Sequence, residues 1–435
     1  MSPEGESNQS SQRERWHAEH LSQATRDLLR EDARYFLHQS LSTPCLNVLT
    51  GCEGSWIEDL DGRRYLDFHG NNVHHVGFSN PRVIEAIASQ MRELSFCTRR
   101  YTNLPAIRLA RKLAELAPGR LNKVLFAPGG TNAIGMALKL ARAATGRFKT
   151  ISLWDSFHGA SLDAISIGGE ELFRRGMEPL LPGALHVSPP DPAQCPFACA
   201  GECSLQCANY VDYVMRREGD VGAVIVETVR ATSLIPPAGY LQLLRESCDR
   251  NGALLIFDEI PHALGRTGKM FTCENFGVVP DMLVVGKALG GGIFPLAALI
   301  AREDLDIAGE AALGHYTHEK NPVACAAALA AIEVIEENRL PEHAAQLGAY
   351  ALERLRKMQS RHESAIRSVR GLGLLLGVET RDDALAERAM YRALERGLSF
   401  KVTMGDVLTL TPPLTVTREE MDHAIDILDQ AIAGA

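Results

Sequence analysis

The chain lacks a surplus of positive charge. Its 45 Lys and Arg are outnumbered by 54 Asp and Glu, for a net charge of −9. No basic tail appears either, which argues against a nucleic-acid surface and leaves any anion site to local groups. The opening residues, MSPEGESNQSSQRERWHAEH, are polar with both charge signs and lack the apolar core of a signal peptide. The most apolar stretch of the C-terminal half, PVACAAALAAIEVI at 322–335, is too short and too rich in alanine to span a bilayer. These absences predict a cytoplasmic protein with no membrane partner. CxxC pairs and internal repeats are also missing. Of the ten cysteines, six (Cys45, Cys52, Cys97, Cys248, Cys273 and Cys325) stand singly in core-like or helical segments and read as reduced thiols.

What is present is a long alternation of apolar runs. At 435 residues with 46% hydrophobic content, the chain is too long for one compact core and predicts a large and a small domain. LSQATRDLLREDARYF has helical spacing, and CEGSWIEDLDGRRYLDF reads as a β-hairpin turning at Asp61-Gly62. A helix follows Pro81, with Val83, Ile84, Ile87 and Met91 expected on one side. From Lys123 the runs KVLFA, KTISLW, ALHVS, GAVIV, ALLIF, DMLVV and LAALI are separated mostly by helical or glycine-rich stretches. That pattern predicts an α/β fold with a seven-stranded, mainly parallel sheet. The expected division is 1–84 as an N-terminal arm and part of a small domain, 85–325 as the large domain, and 326–435 as the rest of the small domain.

The chemistry concentrates in FDEIPHALGRTGKMFTCENFGVVPDMLVVGKALGGG, residues 257–292. Asp258 ends one apolar run and Lys287 follows the next, so both are expected at strand ends, where open α/β sheets bind ligands. A lysine amine can form a Schiff base with an aldehyde cofactor, and a carboxylate against a ring nitrogen keeps that nitrogen protonated. Gly129, Gly130 and Thr131 open a helix after KVLFA, which suits an anion such as a cofactor phosphate, although a tight turn also needs glycine. Phe157 follows KTISLW at a position where an aromatic could stack on a planar ring. Glu227, after GAVIV, reads equally as a supporting acid or a plain cap.

Together these segments resemble a family. GGTNAIGMALKLAR, FHGAS, VIVE with PPAGYL, DEIPHALGRTGK, PDMLVVGKALGGG, NPVACAAALAAI, VRGLGLLLGVE and TPPLTVTREEMD are similar, in order, to the motifs of class III aminotransferases. These are pyridoxal phosphate enzymes of fold type I. The resemblance implies pyridoxal 5′-phosphate as cofactor, Lys287 as its Schiff-base lysine, Asp258 as partner of the pyridine nitrogen, Phe157 as the stacked ring, and Gly130 and Thr131 as phosphate holders. It also implies a homodimer with shared active sites, in which Thr317 reaches the neighbouring subunit's cofactor phosphate; His315 and His318 are then expected to line the interface.

Departures from the family pattern narrow the reading. Gly129 stands where the family usually has Ser, Asn132 where it has Glu, and Pro261 where it has the Gln that bonds the cofactor's ring hydroxyl. Thr409 stands where many members place an arginine for a substrate carboxylate. YLDFHGNNVHHVGFSNPRV resembles the lyase branch, which acts on ethanolamine phosphate and hydroxy-aminoethylphosphonate, and so implies a small aminophosphonate or amine substrate. Arg99, Arg100, Arg230 and Lys401 are the candidate grips for its anion, with solvated surface charge as the alternative. His74, His75 and His262 are candidate proton donors to a leaving group.

Cys195, Cys199, Cys203 and Cys207 recur at every fourth position. On one continuous helix they would spread over about 18 Å, too far for one tetrahedral zinc. A metal would need the chain to fold back at Ala200-Gly201, so a metal site and a reduced insert both stay open. No metal ligand is assigned.

Overall fold

The computed structural model describes residues 9–192, 195–199 and 203–435. The chain divides into two units, one of residues 1–80 with 339–435, the other of 81–338. The Pro322–Glu337 helix therefore lies in the second unit. Among the described residues, no helix is long and apolar enough to cross a membrane.

The first unit opens with the helices Ser11–His20 and Gln23–Tyr35, each capped by a serine hydroxyl that accepts a first-turn N–H. Then come β1 (Leu49–Glu53), β2 (Trp56–Asp59) and β3 (Arg64–Asp67). β2 and β3 form the expected antiparallel hairpin, and Asp59 secures its turn by accepting the backbone N–H groups of Asp61 and Arg63.

The second unit holds the seven-stranded sheet. Its strands are β4 (Leu121–Ala127), β5 (Lys149–Leu153), β6 (Ala184–Val187), β7 (Val221–Glu227), β8 (Leu254–Asp258), β9 (Met282–Val285) and β10 (Ala297–Arg302). They lie in the order β4-β10-β9-β8-β7-β5-β6, and β10 alone runs against its neighbours. The middle strands are buried along their length, as their unbroken Val, Ile and Leu runs require. The Gly130–Thr145 helix packs Ile134, Leu138 and Ala141 into the core beside Ile225, Ile256 and Val284. The Pro81–Glu93 helix differs from expectation: Val83 and Ile87 are buried but Ile84 and Met91 stay exposed, because its inward stripe runs through Val83, Ile87 and Gln90.

Back in the first unit, β11 (Ile366–Leu372), β12 (Leu375–Thr380), β14 (Lys401–Thr403) and β15 (Val407–Leu410) form a third sheet. The short β13 (Leu398–Ser399) instead joins β3 in parallel. An N-terminal and a C-terminal segment thus share one sheet.

Asp281 sets the register of the central strands. Buried at the head of β9, it accepts the Leu255 N–H of β8 at 2.7 Å and an Arg245 N–H at 2.8 Å, and it pairs with Arg302 of β10. Removing this buried carboxylate leaves two half-buried guanidinium groups and the buried Leu255 N–H without their partner. Asp281→Ala should therefore lower unfolding stability by about 2 kcal/mol in a denaturant titration; a loss under about 0.5 kcal/mol would show that the strands are registered by packing alone.

Candidate active site

The C-terminal ends of four parallel strands bring the acidic, aromatic and basic candidates together. Glu227 and Asp258 are register partners at the ends of β7 and β8. Lys287 lies just past β9, half-buried, with φ at 45°. That left-handed backbone costs a residue with a Cβ about 1–2 kcal/mol, strain of the kind that gathers at functional sites.

The sequence reading did not assign His158. It follows Phe157 beyond β5, and its Nδ1 lies 2.8 Å from Asp258 Oδ2, with the two side chains 0% and 2% exposed. Because a carboxylate only accepts, Nδ1–H donates. The other carboxylate oxygen, Oδ1, accepts the Ile260 N–H at 3.1 Å. Asp258 is thus oriented from two sides, while His158 Nε2 is buried with no protein partner. A histidine directly after a strand-end aromatic was the available signal.

Across from this pair, the Gly130–Thr145 helix begins at Gly129 with no side-chain cap, so its first-turn N–H groups are left for an anion. Thr131 Oγ1 accepts the Ala160 N–H at 3.2 Å. Gly159 has φ of 127°, and a Cβ there would clash with Thr131 Oγ1; a Cβ on Gly130 would meet Ile260 at 2.7 Å. Only glycine allows these approaches. Phe157 is partly exposed and packs on Phe173 with centroids 4.5 Å apart.

Glu227 is buried and accepts the Phe157 N–H at 3.4 Å. Burial pushes its carboxyl up, against the pull of the Arg230 guanidinium, whose Nε is 3.6 Å away. Arg230 also donates to the Asp155 carbonyl, so this candidate grip is a buried partner of Glu227 rather than a free loop cation. Glu259, also unassigned from sequence, accepts from Thr228, from the Thr272 N–H at 2.6 Å and from the Cys273 N–H at 2.7 Å, and burial lifts it to about 7. It fastens the 272–273 turn, whose Thr272 hydroxyl lies 3.0 Å from His262 Nδ1. Burial drives His262 down to about 4, so its ring is neutral at neutral pH. Arg266 is fully buried, which lowers it to about 9. Pro261, buried in the same turn, offers no side-chain amide.

The remaining candidates are carried by other segments. Arg99 and Arg100 are exposed, and Arg99 contacts the His315 ring. Thr317 is exposed in the turn before the Pro322–Glu337 helix, where the His318 ring meets Phe96 edge-on at 5.4 Å. The others belong to the first unit. Lys401 is half-buried on β14 opposite Thr409, whose hydroxyl lies 2.7 Å from that of Thr403. His74 and His75 are buried after two left-handed asparagines, Asn71 and Asn72, with His74 Nε2 3.3 Å from the Asp67 carbonyl.

A model of the class-III aminotransferase family matches residues 38–432. The chain belongs to the class-III aminotransferases. It is 44% identical to the (R)-1-hydroxy-2-aminoethylphosphonate ammonia-lyase of Vibrio splendidus, over 99% of this chain and 95% of that one. It is 39% identical to the acetylornithine aminotransferase of Methanopyrus kandleri, over 88% and 93%. Among solved structures, a PLP-bound amine transaminase from an uncultivated Pseudomonas species superposes with a TM-score of 0.86 at 30% identity, covering 92% of this chain and 98% of that one.

Class-III aminotransferases are pyridoxal phosphate enzymes, and the residues here fit that cofactor. A buried, doubly oriented carboxylate, an uncapped helix N-terminus behind glycines that admit no Cβ, and a half-buried lysine converge from adjacent strand ends. In this class-III aminotransferase, Gly159→Ala should push Thr131 aside and weaken cofactor binding at least about tenfold, measured by fluorescence titration of the cofactor-free protein. Unchanged affinity would remove Thr131 and its helix from the phosphate site.

Proposed function

We propose that the chain is an ammonia-lyase that converts (R)-1-hydroxy-2-aminoethylphosphonate to phosphonoacetaldehyde and ammonia. The observation that carries this reading is 44% identity over 99% of the chain to a relative of that name. Thr409, where many family members place an arginine, supports it, since a hydroxyl is a weak grip for an oxo-acid carboxylate.

Bound pyridoxal phosphate supplies an aldehyde that joins the substrate amine and a protonated ring that takes up the electron pair of a breaking C–H bond. The chain supplies the rest. The Asp258 carboxylate, oriented by His158, holds the proton on the ring nitrogen by charge pairing. Lys287 Nζ would hold the cofactor and, once displaced by the substrate amine, would be the base that takes the proton from the substrate carbon bearing nitrogen. Gly130 and Thr131 would hold the phosphate and Phe157 would cover the ring, while Glu227 steadies the Phe157 backbone. Loss of hydroxide from the next carbon, followed by hydrolysis of the resulting enamine, gives the aldehyde and ammonia; the proton taken up by hydroxide makes the water that hydrolysis consumes. His262, buried and neutral, can lend the departing oxygen a hydrogen bond but not an imidazolium proton.

Arg99 and Arg100 remain the candidate grips for the phosphonate within the second unit, while Arg230 acts through Glu227. The exposure of Thr317, Arg99, His315 and Phe96 on one stretch of the second unit supports a homodimer with shared sites. Ten free cysteines suit the cytoplasm.

The transaminase titles of the solved neighbours favour a second reading, amino transfer to an oxo acid. One assay separates the two. Purified protein with this substrate and no acceptor should release ammonia and phosphonoacetaldehyde in equal amounts, and Lys287→Ala should release neither. The lyase reading fails if release requires pyruvate or 2-oxoglutarate and one amino group accumulates on each acceptor molecule.

A further inference from the structure

The fold-back at Ala200-Gly201, on which a metal at the four spaced cysteines depends, lies outside the described residues. A cluster on the third sheet of the first unit lies wholly within them. Cross-strand register sets Arg370 of β11 opposite Gly377 of β12, Gly377 opposite Thr409 of β15, and Thr409 opposite Lys401 of β14. Directly opposed residues of antiparallel strands share a face, so these four form one row across the sheet. The next row, Val369, Val378, Leu408 and Val402, takes the other face, and its last three members are buried in the core. The two cations stand on the outer strands, about 14 Å apart at the backbone, while the positions between them carry no side chain and a short one. The row is a trough. Arg370 and Lys401 are its half-buried rims, and the buried Thr409 is its floor.

We propose that Arg370, Thr409 and Lys401 bind a tetrahedral oxyanion, a phosphonate or phosphate group, in this trough. The charge balance of the face favours an anion. Glu379, one row along, pairs with both Arg370 and Arg367, and Asp406 pairs with Arg367; with Lys401, three cations stand against two carboxylates. Arg370 Nη1 donates to Glu379 and Ser368, yet its Nε is buried with no acceptor, and a dry N–H of a charged group is costly to leave unpaired. The Thr409 and Thr403 hydroxyls, 2.7 Å apart, use one hydrogen between them and keep a second to give. A guanidinium fork, a hydroxyl and an ammonium thus come from two rims and a floor, which suits three oxygens on a tetrahedral centre better than the two of a planar carboxylate. The site belongs to the first unit alone and does not depend on the lyase reading.

The test is calorimetric titration of the full chain, loaded with pyridoxal phosphate so that the cofactor's own phosphate site is filled, with methylphosphonate and separately with acetate. Methylphosphonate should bind at least about tenfold more tightly than acetate, and Lys401→Met and Arg370→Gln should each weaken it at least about tenfold. Thr409→Val should weaken it about threefold or more. Lys357→Met, at an exposed position of the Leu340–Arg361 helix, removes the same charge and should change nothing. If Arg370→Gln fails to fold because Glu379 loses a partner, Lys401→Met and Thr409→Val still decide. Adding methylphosphonate to the ammonia-release assay then names the source of the anion. Competition with the substrate makes it the substrate's own phosphonate, and binding without competition makes it free phosphate; the site holds in either case. No methylphosphonate binding, acetate binding of equal strength, or methylphosphonate binding that Lys401→Met and Thr409→Val both leave unchanged would overturn the proposal.

Discussion

The His158–Asp258 hydrogen bond is the constraint on which the site depends. It joins a carboxylate at the end of β8 to an imidazole beyond β5 with both side chains out of water, and a buried carboxylate without donors is among the costliest groups a fold can hold. The solution is distributed along the sheet. Ile260 supplies a second donor to Asp258, Glu259 points away from it and fastens the 272–273 turn, and Asp281 fixes the register of β8, β9 and β10. Shifting any of these strands would swing Asp258 away from the Lys287 turn.

Much of this was legible in the residues. The seven apolar runs became the seven strands because buried parallel strands need unbroken β-branched and aliphatic sequence. Asp258 and Lys287 stood out because each ends or follows such a run. His158 and Glu259 were not assigned, since their importance lies in contacts 100 and 13–31 residues away in sequence, which spacing cannot reveal. Arg230 was read as a loop cation although its partner Glu227 stands only three residues before it; the burial that turns the two into a pair is what spacing does not show. Helical spacing of the cysteines suggested a spread of sulfurs, whereas left-handed residues at Ala198 and Leu205 break that spacing.

The same fold serves relatives that transfer amino groups and one that eliminates ammonia. What distinguishes the present chain lies at the margins of the shared machinery. Pro261 offers no side-chain amide where the family usually has a glutamine, and Thr409, where many members have an arginine, lies within hydrogen-bonding distance of Thr403. The first change concerns a cofactor contact and the second a substrate carboxylate, and both leave the carboxylate, lysine and helix N-terminus in place.

The central claim is that the electron pair leaves through the substrate and not through the cofactor. The most direct measurement is the visible spectrum of the cofactor-loaded enzyme after a single equivalent of (R)-1-hydroxy-2-aminoethylphosphonate has been consumed with no acceptor present. Elimination returns the aldehyde band to its starting intensity. A band that stays bleached, with the cofactor recovered in its amine form, would contradict the account.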